Sequence, residues 1–356
     1  MTTVYESSIK IIKKNQSSSG AYIASPNFPT YKYCWFRDSA FISYSMDLVG
    51  EHQSSQLFHN WAIGTILRYK TKITKCIEQI NKGNHLDDMD YFHSRFAVDG
   101  SELSDDWGHN QLDGLGTWLW SLVQHLSLTK QVGISPECIE ATQLIRDYLI
   151  GLWKYPCFDC WEEKPDWIHT YTLASIVGGL NNLACFFEDD IAKKAADEIR
   201  NFVLQNSVKN DYFIKHIGSS EIDANLLGLA LPYEVIDMND EDMKRTIDLI
   251  EKQLQSSSIG VHRYPSDSYY GGGLWVLLTA WLGWYYSKIG RNTHARQILD
   301  WIEHQTTKNG ELPEQVKENL LVPSKYNEWV KRWGNIASPL LWSHSMYLIL
   351  YKALGN

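Results

Sequence analysis

Two carboxylate clusters set among aromatic residues are where this chain could do chemistry. One is Glu162-Glu163, inside Cys160-Trp161-Glu162-Glu163-Lys164-Pro165-Asp166-Trp167; the other is Glu314, inside Gly310-Glu311-Leu312-Pro313-Glu314-Gln315. They stand 152 residues apart, so only tertiary folding could face them across one site. Two facing carboxyls are the minimum kit for cutting a glycosidic bond: one protonates the leaving oxygen, and the other activates water or attacks. A neighbouring tryptophan offers the flat apolar surface on which the C–H face of a sugar can lie. For Glu162 to act as an acid near neutral pH its pKa must be raised, and Trp161 (desolvation) and Glu163 (like charge) are the candidates beside it. The competing reading is a solvated Glu-Glu pair at a helix start. Glu314, as a base, should stay ionised; in isolation its segment would pass for an exposed loop.

Arg37-Asp38, after Tyr31-Lys32-Tyr33-Cys34-Trp35-Phe36, has the donor–acceptor pairing that grips adjacent sugar hydroxyls. A buried structural ion pair accounts for it equally well. Arg263-Tyr264-Pro265-Ser266-Asp267-Ser268-Tyr269-Tyr270-Gly271-Gly272-Gly273 is a similar mixture. Its glycines are not followed by Gly-Lys-Ser/Thr and so make no P-loop; they let the backbone pass close to a ligand or to another loop.

The elements that must position these residues are helices. Apolar residues recur at three- and four-residue spacing over about 38–49, 53–79, 110–128, 137–153, 170–188, 190–206, 223–231, 241–254, 272–289, 292–307 and 338–353. Asp211–His216 is the best short strand candidate, so the fold class is all-α. Ser338-Pro339 reads as the cap and first turn of the last helix, and Gly50 and Gly290 as stops. Each polar-aromatic segment falls just before an apolar helix. With Asp38, Trp107, Glu162, Asp223, Arg263 and Glu314 as markers, the intervals are 69, 55, 61, 40 and 51 residues, each enough for a helical hairpin. Asp223 is the weakest marker, because it could be only an N-cap. Six hairpins with chemistry in the equivalent loop suggest a closed toroid; an irregular bundle is the alternative, since the helices show no sequence repeat.

Composition removes other classes. At 356 residues, 44% hydrophobic and 21% charged, the chain is an ordinary globular one. A net charge of −9 without a basic run argues against nucleic acid, and the longest apolar stretch, 274–286, is too short for a bilayer. The first 16 residues lack an apolar leader core, and the six cysteines suit reduced thiols, so a cytoplasmic location is expected. Cys157-Phe158-Asp159-Cys160 is a CxxC with no second ligand pair, so no metal or other cofactor is expected.

Taken in order, Tyr33–Ser39, Asp106-Trp107-Gly108-His109-Asn110-Gln111-Leu112-Asp113-Gly114, Trp161-Glu162-Glu163, Arg263–Tyr270, Leu312-Pro313-Glu314-Gln315 and Leu341-Trp342-Ser343-His344 resemble glycoside hydrolase family 15, the glucoamylase family. The resemblance runs from about Tyr31 to Trp342. It implies an (α/α)6 barrel, a single catalytic domain over 1–356, and inverting release of β-glucose from non-reducing ends of α-1,4- or α-1,6-linked oligosaccharides. Glu162 would be the general acid and Glu314 the general base, about 6.5–9.5 Å apart. Arg37 and Asp38 would hold the terminal glucose, with Tyr31 near the developing charge. Glu163 and Arg263 would bind hydroxyls around the scissile bond, Trp107 would cover the leaving side, and Trp161, Trp275 and Trp342 would complete the wall. No β-sandwich or starch-binding domain is expected, which suits small oligosaccharides. Cys160 departs from the apolar residue of fungal members, and His344 lies near a variable part of the pocket. A non-catalytic sugar-sensing subunit and a trehalase are the competing functions.

Overall fold

Helices that are apolar all round alternate along the chain with helices that are apolar on one side, and this alternation builds the molecule. The computed structural model describes residues 3–105, 107–131 and 133–356. Asp106, the first residue of one motif above, lies outside them. Outer α1 (Val4–Lys14) leads to inner α2 (Phe36–Leu48); α3 (His52–Arg68) and α4 (Lys70–Asn81) lead to α5 (Asp113–Leu128); α6 (Pro136–Leu152) leads to α7 (Thr170–Phe187). Then α8 (Asp190–Asn206) leads to a 3-10 turn over Ala224–Leu229, α9 (Glu241–Gln253) to α10 (Val276–Lys288), and α11 (Asn292–His304) with α12 (Pro323–Trp333) to α13 (Leu341–Ala353). The inner elements touch in the order α2, α5, α7, 3-10 turn, α10, α13 and back to α2. This is an all-α (α/α)6 barrel.

Burial follows the alternation. Every residue of α10 from Val276 to Tyr286 is buried, whereas α8, α9 and α11 bury one face each. The polar residues that α2 takes into the core are matched there: Asp47 accepts from Ser55 Oγ at 2.7 Å and pairs with the ring nitrogens of His52 and His125 at 2.8 and 3.0 Å. Inner helices approach closely where glycine permits. A Cβ on Gly116 of α5 would lie 2.5 Å from the Ser175 carbonyl oxygen of α7, and one on Gly179 of α7 would lie 2.4 Å from the Gly116 oxygen.

Several expectations shift. The helix expected over 223–231 is a 3-10 turn over Ala224–Leu229, and Pro232 offers no N–H to carry it further. The segment expected over 53–79 is two helices, parted at Tyr69. Ser338 is not the cap of α13. That helix starts at Leu341, and its first amide groups donate to other loops, Leu340 to Leu312 at 2.9 Å and Leu341 to Ala24 at 3.0 Å. Gly50 and Gly290 do follow α2 and α10, with φ of 82° and 80°. Helices α1 and α12 are not among the expected segments, although Val4, Tyr5, Ile9 and Ile12 and then Tyr326, Trp329, Val330 and Trp333 stand at helical spacing. The strand expected over 211–216 shrinks to β4 (Tyr212–Phe213), paired with β3 (Val208–Lys209).

Two further ladders matter for the site. β1 (Cys34–Trp35) pairs antiparallel with β2 (Arg95–Phe96), and β5 (Leu274–Trp275) with β6 (Gln315–Val316). Although the helices do not repeat, the loops before α2 and α10 do. Gln16-Ser-Ser-Ser and Gln255-Ser-Ser-Ser each bridge to a residue six further on, and each glutamine side chain donates to a carbonyl four residues on, at 2.9 and 3.1 Å.

Candidate active site

The loops that precede the inner elements enclose one cavity of about 490 Å3. Tyr31, Arg37, Asp38, Trp107, Trp161, Glu162, Glu163, Arg263, Trp275, Glu314 and Trp342 all line it. The remaining loop marker, Asp223, does not. It caps the 3-10 turn through Asn225 N–H (2.9 Å), and it also holds Lys215 Nζ at 3.1 Å and the Trp161 indole N–H at 3.0 Å.

Glu162 sits at φ 66°, left-handed backbone that a residue with a Cβ adopts only under constraint. Asp159 supplies the constraint: its Oδ1 accepts from the amides of Trp161 and Glu163, both at 2.9 Å, and its carbonyl accepts from Glu162 N–H at 2.9 Å. Glu162 Oε1 accepts from Trp35 Nε1 at 2.6 Å and Gln111 Nε2 at 3.1 Å, with Arg37 at 3.8 Å, while Oε2 has no hydrogen-bond partner among the described residues. The neighbours expected to act on it are otherwise engaged. Glu163 takes Arg263 NH2 at 3.1 Å and the Tyr264 hydroxyl at 2.5 Å, so its charge is matched, and Trp161 is turned to Asp223. Chain adjacency misleads here because a turn sends successive side chains to different partners.

Glu314 is buried rather than an exposed loop residue, at 4% exposure. Tyr31 donates its hydroxyl to Oε1 at 3.2 Å and shares a 2.8 Å hydrogen bond with Tyr269, whereas buried Oε2 has no partner among the described residues. Burial pushes this carboxyl up to about 8, against the expectation that it stays ionised. Asp38 is likewise pushed up to about 7, burial outweighing the attraction of Arg37.

The two readings of Arg37-Asp38 divide between the residues. Arg37 is a buried ion-pair partner, with NH1 3.2 Å from both Asp113 Oδ2 and Gln111 Oε1; its Nε is 3.6 Å from Asp38. Asp38 keeps its carboxyl at the cavity wall. Arg263 is clamped in the same way by Asp267, at 2.9 and 2.7 Å. The glycine run passes close to a helix, neither of the two partners expected: a Cβ on Gly271 would lie 2.7 Å from that of Tyr326 in α12.

Sequence reasoning missed several residues. Trp35 and Gln111 were quoted in motifs without a role, although each has the donor that a carboxylate needs. Arg95, fully buried, stacks 3.8 Å over Trp107, pairs with Asp105 and donates to the Thr30 carbonyl at 3.2 Å; an arginine on a two-residue strand gives no signal. Phe28, Trp329 and Trp333 complete the wall. Cys160 lines the cavity as a free thiol and Cys157 is a second one, while His344 is buried outside it.

The family model described as Glycosyl hydrolases family 15 matches residues 1–328. Isomaltose glucohydrolase of Kribbella flavida is 36% identical over 97% of this chain and 91% of its own length. A glycosidase solved in complex with glucose superposes with a TM-score of 0.93 at 35% identity, covering 99% of this chain and 96% of that one. A bacterial glucoamylase complexed with acarbose shares the fold at a TM-score of 0.72 and 19% identity, over 98% of this chain and 55% of that one.

Proposed function

The chain belongs to glycosyl hydrolases family 15, and from that premise we propose that it is an inverting exo-α-glucosidase acting on short gluco-oligosaccharides, isomaltose first among them. One observation carries the reading. Glu162 and Glu314 line one cavity, each with one oxygen held by a protein donor and the other without a hydrogen-bond partner among the described residues, and they are not hydrogen-bonded to each other. Such a pair can protonate a glycosidic oxygen and activate water on the opposite side of the ring without neutralising itself.

Glu162, with its side chain 20% exposed beside Glu163, is the general acid. Glu314, on the closed side, is the general base. Asp38 accepts from the hydroxyls of the bound glucose, Arg37 and Arg263 hold charge beside it, and the tryptophans exclude water. Hydrolysis of isomaltose followed by proton NMR tests the reading: the reducing-end glucose is released as its equilibrium mixture of anomers, so inversion shows as early β-glucose above its equilibrium share, relaxing later by mutarotation. An early excess of α-glucose would overturn inversion, and a preference for trehalose would overturn the substrate. Sugar binding without turnover would make the chain a sensor.

The raised carboxyl of Glu314 favours a second reading, with the roles exchanged, since the group that holds its proton is the natural acid. Substrate with a leaving group that needs no proton separates the two. With Glu162 as acid, Glu162→Gln retains turnover of α-glucosyl fluoride and Glu314→Gln does not; exchanged roles reverse the result. We also read residues 1–356 as one catalytic domain working in the cytoplasm, which six free cysteines support. No described helix is long and apolar enough to cross a membrane.

A further inference from the structure

Between Glu314 and α13 the chain leaves the ring and forms α12. No residue of this helix is buried, yet it carries two tryptophans. Tyr326, Trp329 and Trp333 are spaced by three and four residues and so share one face, and both tryptophans line the cavity. Trp329 lies nearly parallel to Phe28, at 6.1 Å and 10°, and edge-on to Tyr269 at 4.5 Å. Trp333 is 42% exposed, among Lys325, Glu328, Lys331 and Arg332 on an otherwise charged helix. The helix docks through the glycine run, where Val322 N–H donates to the Gly271 carbonyl at 2.9 Å and Leu321 N–H to Gly272 at 3.3 Å.

Exposure gives the cavity a direction. Arg37, Asp38 and Glu314 are 5%, 7% and 4% exposed at its closed end, and Trp333 stands at the open one. An enzyme that removes a terminal sugar seats that sugar at the closed end, so whatever lies beyond the scissile bond runs toward α12. Large apolar side chains left in water at a cavity mouth are surfaces kept for a ligand.

We propose that α12 is the acceptor wall of the site: Trp329 and Trp333, with Phe28, hold the sugar beyond the scissile bond and set the length of α-glucoside that fits. This rests on the function proposed above and adds its length selection. The wall contributes binding rather than chemistry, so its loss raises KM and leaves kcat nearly alone.

The test compares Trp333→Ala, Trp329→Ala and wild type on isomaltose, a six-glucose α-1,6 oligomer and α-glucosyl fluoride, whose leaving group does not reach α12. Trp333→Ala is expected to raise KM for isomaltose about tenfold, equivalent to about 1.4 kcal/mol, with kcat changed by less than about twofold. Its loss on α-glucosyl fluoride is expected to be several-fold smaller, and the preference for isomaltose over the oligomer narrows. Gly271→Ala, which displaces Tyr326, gives the same pattern without touching an indole. An equal loss on isomaltose and the fluoride, or an unmoved KM for isomaltose, overturns the proposal. Calorimetric binding of isomaltose to Glu314→Gln, with and without Trp333→Ala, separates this inference from the function. If wild type releases glucose from no α-glucoside, the function fails, while weaker binding in the double variant still supports the wall. If isomaltose turns over normally in Trp333→Ala, the wall alone fails.

Discussion

At the scale of single residues, the site is made by partners more than by the residues that define it. Glu162 is held by Trp35 and Gln111 on two other segments, and its strained turn is held by Asp159. Trp35→Phe keeps an aromatic ring but loses the five-membered half of the indole with its N–H donor; steady-state kinetics on isomaltose should show kcat down about tenfold with KM less changed. Glu314 makes a sharper prediction, because its pKa rises from the ordinary 4.5 to about 8. A folded-state pKa above the unfolded one adds stability at low pH that is lost as pH climbs through about 8. Glu314→Gln should therefore melt a few degrees above wild type at pH 8.5, and the difference should vanish by pH 4. The same group dictates kinetics: if it is the base, the pH profile of kcat/KM has a rising limb that disappears in Glu314→Gln. Loss of a falling limb instead would identify it as the acid.

At the scale of elements, the barrel depends on how closely its inner staves approach. Gly116→Ala places a methyl 2.5 Å from a carbonyl oxygen of α7, where backbone rather than a flexible side chain must give way. Denaturant unfolding should register a loss of about 1–3 kcal/mol. Gly151→Ala in α6 is the contrast, since its Cβ meets only Ile77 at 3.7 Å. There, removing a helix glycine should be neutral or stabilise by about 0.5–1 kcal/mol. Most helices were legible from the spacing of their apolar residues. α12 and α1 carry the same spacing yet lie outside the expected segments; α12 sets its aromatic face among charged residues, and α1 is a short helix with only Ser8 and Ile12 buried. The 3-10 turn before Pro232 was read as helix because spacing of apolar residues cannot distinguish one helical turn from the other.

At the scale of the whole molecule, α13 closes the ring against α2, and His344 joins that closure to the site. Its Nε2 accepts from Leu312 N–H at 2.9 Å, so Nδ1 carries the proton toward Ser8 Oγ, 2.9 Å away, whose own hydroxyl donates to the Val4 carbonyl at 2.8 Å. Burial holds His344 and His59 near 3, so folding loses stability as pH falls from the ordinary 6.5. Buried Asp38, Asp159 and Glu314, pushed up to about 7, 7 and 8, act on the other flank as pH rises. Thermal midpoints across pH should form a plateau in the weakly acidic range that declines on both sides; a midpoint still rising at pH 8.5 would contradict this accounting.

Sequence by itself determined the all-α class, the regular spacing of the loops before the inner elements, five of whose six markers line the site, and the residue types that reach the cavity. Those features are carried by periodicity and by local motifs, which a linear chain displays. Only the tertiary structure decided which oxygen of each glutamate is held, that Glu163 is neutralised by Arg263 and Tyr264, and that α12 walls the cavity. Each of these is a contact between segments far apart in sequence, fixed by how the ring closes, and no local pattern encodes it. The 152 residues between Glu162 and Glu314 are the span of three hairpins, which the closed ring turns into a shared cavity.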